Sequence, residues 1–445
     1  MKVIQNSQNI NSHSAVPHMC KWSVWNNRID ITDNCLVLFN AYTHGAVLME
    51  SAEYADPTSL DVADKEMLHA NGILVDAEID EKARWAEEYD RGRKDMSYID
   101  LTIMLTEDCQ MRCQYCFEGS KKKNTIRETT IERVLAFLKR YVGVCSRLRV
   151  TWFGGEPLIA YKHLKSMTGK LIDFCRENNI SYSADITTNG YAMSPTRCHE
   201  LVHELNVKRF IITIDGPERI HEQRRPLVTK RPTFNVIMRN IETLIENGAF
   251  VSIRMTIDRG NVDYVPEFLN YLAESPLKGR VGLAFCRTID YNFTPDNIKE
   301  LLFTEREFTD VEWYLIQHAH KLGIWCYHFP HSAPLGGCLR QGDIVVGVDG
   351  KVYKCLDTLG DERWITGSID DDSNSPEWLK RWHQWTPFDN DKCASCPLVP
   401  LCNGGCPHNA LFDDKRHGTD TGCPDWKGNY KRQIKSLILE NYEKF

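Results

Sequence analysis

Between positions 98 and 287, short apolar runs alternate with longer segments whose apolar residues recur at spacings of three and four. The runs 99–105, 148–153, 183–187, 210–214, 251–257 and 281–285 predict six strands, since largely apolar runs of this length suit strands buried on both faces. The segments 130–141, 163–177, 195–205, 234–247 and 265–274 predict the helices between them. Repeated strand–helix alternation indicates an α/β fold with a helix-covered parallel sheet. Six such units suit a doubly wound sheet or an incomplete barrel, and periodicity does not separate the two.

The flanks have a different pattern. In residues 1–95, runs 22–25 and 35–40 predict a hairpin, and 61–70 a helix stopped by Asn71-Gly72. A short strand at 73–75 and a charged helix at 80–90 follow, leading into a polar linker at 91–95. This layout is compatible with a small α+β, winged-helix-like domain. Beyond Arg287, residues 296–322 read as helical and 331–425 as turn-rich. Ile434, Leu437, Ile438 and Tyr442 then mark an amphipathic terminal helix. The expected division is 1–95, 98–300 and 301–445.

A formal net charge of −7 provides no basic field for a nucleic-acid backbone. The first fifteen residues lack the apolar core of a signal peptide, and no apolar run approaches the roughly 18–20 residues that span a bilayer. A cytoplasmic protein with neither nucleic-acid nor membrane partner is expected. Phosphate-loop, dinucleotide-binding and nucleophile-elbow motifs are missing. Lys121, Lys122 and Lys123, like Lys230 and Arg231, read as solvated charges; neutralising the first three is expected to spare catalysis.

Cysteine usage carries the chemistry. Seventeen are present, an odd number, and clusters of them in a reducing compartment point to metal sites before disulfides. Cys20, Cys35, Cys145, Cys175, Cys198, Cys286 and Cys326 are scattered and read as buried thiols. Cys109, Cys113 and Cys116 fall just beyond the first strand of the alternating region, where parallel α/β folds build active sites. Three thiolates can hold a four-iron cluster and leave one iron open. A closed zinc site would want a fourth ligand, and the next cysteine is Cys145.

With Tyr115 before its last cysteine, this motif resembles that of the radical S-adenosylmethionine (SAM) enzymes. The resemblance implies a partial (β/α)6 TIM-like barrel. It also implies a [4Fe-4S] cluster whose open iron is chelated by SAM, and reductive cleavage of SAM to a 5′-deoxyadenosyl radical that abstracts hydrogen from substrate. Gly154-Gly155-Glu156-Pro157 is similar to the family's motif for the SAM amino group, with Glu156 able to accept from an ammonium. Asn189 in Thr188-Asn189-Gly190, Thr213 before Asp215-Gly216-Pro217, and Arg225 occupy the positions of further SAM contacts. Arg225 suits the carboxylate, adjacent Arg224 is its rival, and Arg254 is a weaker candidate.

The second cluster runs Cys338, Cys355, Cys393, Cys396, Cys402, Cys406 and Cys423. Asp349-Gly350 reads as a hairpin turn bringing Cys338 and Cys355 together. Spacing alone suits zinc or iron–sulfur, and seven ligands leave two four-coordinate sites one short. The series resembles the SPASM extension of radical SAM enzymes that modify peptides and proteins. That resemblance implies Cys338, Cys355 and Cys406 on one auxiliary [4Fe-4S] cluster and Cys393, Cys396, Cys402 and Cys423 on a second, three clusters in all. Cys326, with His328 and His331 as outsiders, is the candidate fourth ligand of the first auxiliary cluster; an open iron is the rival.

In related peptide maturases the N-terminal region recognises a leader peptide, and strand addition to a sheet edge would be the physical mode; a cap on the barrel is the other reading. The resemblance thus implies a maturase that crosslinks a ribosomally made precursor peptide through a C–C or thioether bond, with a flavodoxin- or ferredoxin-like reductant. Sulfatase maturases, which make formylglycine, place an Asp directly after the second cysteine of the series. Here Leu356 follows Cys355 and Asp357 comes one place later. A zinc or electron-transfer protein without SAM chemistry is the alternative of another class.

Overall fold

Ile99, Leu101 and Ile103, and likewise Val251, Ile253, Met255 and Ile257, lie fully buried in the computed structural model, as strands covered on both faces require. The structure describes residues 1–5, 19–56, 60–119, 121–291, 294–324, 326, 338–371, 375–413 and 422–442, with Gln5 and the last six by backbone only. Its strands in the first unit are β1 (Lys2–Gln5), β2 (Cys20–Trp22), β3 (Asn26–Thr32), β4 (Cys35–Asn40), β5 (Ala46–Glu50) and β6 (Leu74–Asp76). The central strands are β7 (Tyr98–Met104), β8 (Arg147–Phe153), β9 (Ser181–Thr188), β10 (Val207–Thr213), β11 (Phe250–Ile257) and β12 (Gly282–Arg287). Three more follow, β13 (Asp343–Val346), β14 (Lys351–Tyr353) and β15 (Ile365–Ser368).

All six central strands pair in parallel and in consecutive order, whereas a doubly wound sheet would reverse at a switch point. Laid flat, five strand spacings of about 4.8 Å would hold β7 and β12 about 24 Å apart. Instead Cys109, after β7, and Arg287, ending β12, line one cavity. The sheet is therefore curled, an incomplete barrel. Helices Glu128–Leu138, Tyr161–Glu177, Phe234–Glu246 and Val265–Glu274 cover it. A further short helix, Glu218–Arg224, buries Ile220 and His221; seven residues carry too little periodicity to predict.

The sheet does not stop at the barrel. Strand β13 adds to β7 in parallel, Ile344 opposite Leu101, and the hairpin β13–β14 and then β15 extend the array to nine strands. The Asp349-Gly350 turn forms as expected between β13 and β14, with Gly350 at φ 85°.

The first unit departs from expectation. The hairpin is β3–β4, Ile29 opposite Val37, within a four-stranded antiparallel sheet β1-β5-β4-β3, while β2 pairs with β6. Residues 91–94 continue the helix Glu81–Lys94, and buried Arg93 donates to the Trp385 carbonyl at 2.6 Å. Ile29, Val37 and Phe39 share an apolar cluster with Leu398, Leu401 and Ile434, and Trp25, Trp85 and Tyr89 share another with Val399. The unit thus packs on the cysteine-rich extension, and neither cluster includes a barrel residue. Lys435 on the terminal helix Tyr430–Tyr442 donates to the Asp30 and Ile31 carbonyls of β3, covering that edge. Among the described residues no helix is long and apolar enough to cross a membrane.

The helix Glu305–Lys321 carries Glu312, whose Oε2 accepts from Asn429 at 2.9 Å. Burial, with nearby Asp425, pushes the Glu312 carboxyl up to about 7. Between the ordinary glutamate range near 4.5 and about 7, the folded chain therefore binds more protons than the unfolded one, and stability falls as pH rises through that window. Glu312→Gln keeps an acceptor for Asn429 and removes the charge. It is expected to gain on the order of 2 kcal/mol at pH 8 and to flatten the pH profile of the thermal midpoint; a profile parallel to the parent's would contradict this.

Candidate active site

The loop after β7 and the turn after β8 are clamped backbone to backbone. Gly155 N donates to the Thr106 carbonyl and Glu156 N to the Asp108 carbonyl, both at 2.9 Å. This closeness explains the paired glycines. A Cβ on Gly154 would stand 2.4 Å from Thr106 O, and one on Gly155 2.4 Å from Asp108 O. On its other side the cysteine loop is tied to the segment after Arg225, through Arg112 N to Pro226 O and Val228 N to Gln110 O.

The clamp sets Cys109, Cys113 and Cys116 on the wall of a cavity of about 190 Å³ at the C-terminal ends of the barrel strands. Tyr115, Gly155, Asn189, Thr213, Arg225 and Arg254 line the same space. Asn189 Nδ2 lies 3.9 Å from Cys109 Sγ. Burial pushes the Cys109 thiol up to about 12 and raises that of Cys113 against the opposing pull of Arg225. In the apoprotein these thiols hold their protons, so loading a metal releases them.

Arg225 and Arg224 separate into two roles. Arg224 grips Asp258 with two bonds of 2.8 Å, lies 3.5 Å from Asp215, and stacks over the Tyr115 ring. Arg225 instead faces the cavity. Its Nη1 donates to Tyr115 Oη at 2.7 Å, and its Nε is a buried N–H with no hydrogen-bond partner among the described residues. An orphaned guanidinium N–H at a cavity wall suits an incoming carboxylate. Tyr115 in turn donates to Asp215, so the tyrosine of the cysteine motif is anchored at the end of β10.

Glu156 is corrected. It is fully buried behind the wall, where Leu158 N and Thr188 Oγ1 donate to its Oε1 and Asn189 N to its Oε2. Its carboxylate fixes the end of β9 and does not face the cavity, leaving Gly154 and Gly155 as the part of the motif that does. Lys121 is corrected too. Its side chain is 6% exposed, and it donates to Cys116 Sγ at 2.9 Å and to Glu118 at 2.8 Å; only Lys122 and Lys123 are solvated.

The far wall comes from the segment after β12 and from the extension. Tyr291, Leu356 and Asp357 line the cavity with the three cysteines, although Asp357 is one place off the expected offset. Among the auxiliary cysteines, Cys338 hydrogen-bonds Cys355 and senses Cys406. Cys393 senses Cys396 and Cys423, and Cys402 senses Cys393 and Cys396. Cys326 packs in the barrel core, with Phe308, Leu315 and Ile316 in the same cluster and Glu312 as its charged neighbour. Its apolar surroundings suit an inert thiol. His328 and His331 lie outside the described residues. Among the described residues no three His, Cys, Asp or Glu close on one point.

Residues 103–272 match the family described as the radical SAM superfamily. The chain carries a radical SAM domain. The chain is 24% identical over 346 residues to a serine-type anaerobic sulfatase-maturating enzyme of Bacteroides thetaiotaomicron, covering 68% of this chain and 80% of that protein. The structure of native anSMEcpe with bound AdoMet and Cp18Cys peptide superposes with a TM-score of 0.59 at 17% identity, over 78% of this chain and 99% of that one. Streptococcus suis SuiB bound to precursor peptide SuiA gives 0.53 at 14% identity, over 91% of this chain and all of that one. These likenesses establish the α/β fold of the radical SAM domain.

Asp215, Thr256, Arg287 and Tyr291 were not assigned roles from sequence. They lie on four different segments around the cavity and its supporting network, so only the curled sheet brings them together.

Proposed function

We propose that this radical SAM protein matures a ribosomally made peptide by forming an intramolecular C–C or thioether crosslink. The observation that carries the reading is the single chamber in which Cys109, Cys113 and Cys116 face Leu356 and Asp357, the neighbours of Cys355. A substrate residue held there would lie between the SAM-binding cysteines and an auxiliary set. A sulfatase-maturating enzyme and SuiB bound to its precursor peptide SuiA, both similar to this chain, support a peptide or protein substrate.

The donor set fits the family's cofactors: three cavity-facing thiols, an orphaned Arg225 N–H and glycine backbone at the wall. A [4Fe-4S] cluster on the three cysteines, with SAM, supplies reductive SAM cleavage and a radical able to abstract hydrogen. Arg225 would hold the SAM carboxylate, Thr213 the ribose, and Asn189 lies at the wall beside Cys109. Tyr115 and Asp215 keep Arg225 in place. Two further [4Fe-4S] clusters on the seven auxiliary cysteines would take up the electron left after ring closure, and a flavodoxin- or ferredoxin-like protein would deliver the first one.

Anaerobically reconstituted protein is expected to bind on the order of twelve irons and to give 5′-deoxyadenosine with a peptide encoded beside its gene, the product two hydrogens lighter. Neither product would overturn the reading. Asp357 on the cavity wall favours one second reading, formylglycine formation; a Cys- or Ser-containing sulfatase peptide converted to an aldehyde would establish it.

A further inference from the structure

Each cysteine set has a lysine beside it, with the side chains of Lys121 and Lys354 buried and Lys427 half-buried, and the three are used differently. Lys121 donates to Cys116 Sγ at 2.9 Å while pairing with Glu118, whose side chain is 8% exposed. Lys427 donates to Cys423 Sγ at 3.5 Å and also hydrogen-bonds Cys396. Lys354, next to Cys355, directs its ammonium to the carbonyls of Arg340 and Asp343. None of these lysines belongs to the cysteine motifs.

A thiolate bound to iron keeps lone pairs that accept hydrogen bonds, and such bonds, with nearby charge, set an iron–sulfur cluster's potential. Reduction adds a negative charge, which an ammonium in a low-dielectric wall stabilises. We propose that Lys121 and Lys427 are positioning residues that raise the potentials of the SAM-binding and second auxiliary clusters by donating to their thiolate ligands. Glu118 opposes Lys121 and trims its effect. The arrangement makes the SAM-binding cluster easier for an external donor to reduce. It deepens the proposed function and rests on those cysteines holding iron.

The test is a redox titration of the reconstituted holoenzyme followed by electron paramagnetic resonance, with the SAM-binding cluster identified by the change in its signal on adding SAM. Lys121→Met is expected to move that midpoint to more negative potential and leave the auxiliary signals in place. Glu118→Gln is expected to move it the opposite way, a reversal that general loosening of the loop would not produce. Lys427→Met is expected to lower an auxiliary midpoint only, and exposed Lys122→Met to move none. If Lys121→Met fails to retain iron, Lys121→Arg, which keeps charge and donor, is expected to hold the cluster near the parent potential. Full iron with unmoved midpoints in Lys121→Met and Glu118→Gln overturns the inference, as does equal iron loss in Lys121→Met and Lys121→Arg. A parent protein that takes up no iron overturns the reading beneath it as well.

Discussion

Gly155→Ala is expected to abolish SAM cleavage, with a fall of more than about 100-fold in deoxyadenosine formation. The added methyl would stand 2.4 Å from Asp108 O and 2.8 Å from both Asp108 C and Glu107 O. These are backbone atoms, so the loop carrying Cys109 must move as a body. Overpacking of this kind costs about 1–3 kcal/mol, and displacement of about 1 Å at reacting groups costs about 100-fold. The matched control is Gly169→Ala in the helix Tyr161–Glu177, where a Cβ meets nothing within 4 Å. There the change is expected to stabilise by about 0.5–1 kcal/mol and to leave turnover unchanged. Thermal melts and deoxyadenosine assays on both variants check this; parental turnover in Gly155→Ala would refute the clamp.

The second large effect separates neighbouring arginines. Arg224→Met would leave Asp258 and Asp215, both with fully buried side chains, without their cation, and breaking one side of a buried pair costs about 3–5 kcal/mol. Arg225→Met leaves the Arg224–Asp258–Asp215 network whole and removes the bond to Tyr115 together with the cavity-facing N–H groups. It is expected to melt near the parent and to bind SAM about 10–100-fold more weakly, the worth of a charged hydrogen bond. Thermal melts and equilibrium dialysis with SAM distinguish the two. Equal loss of stability in both variants would contradict the division of roles.

The sequence showed the six central strands clearly because their apolar runs are local, while the barrel rested on the resemblance. The six expected runs and the six observed strands overlap throughout, and the order of cysteines, glycines and Arg225 around the cavity follows chain order. What stayed hidden depends on distant partners. Lys121 reads as one of three like charges until Glu118 and Cys116 close around it. Glu156 looks like a ligand until Thr188 and Asn189 occupy its oxygens. The pairing of β13 with β7 joins residues more than two hundred positions apart, which no local period can encode. Arg93, expected in a linker, is buried for the same reason: its partner is Trp385.

That same pairing has a consequence for biosynthesis. During translation the first barrel strand, Tyr98–Met104, emerges with one edge unsatisfied, and its neighbour Asp343–Val346 is made more than two hundred residues later. Non-local parallel pairing of this kind is slow and leaves a sticky edge in the nascent chain. Low yield from overexpression would reflect that exposed edge.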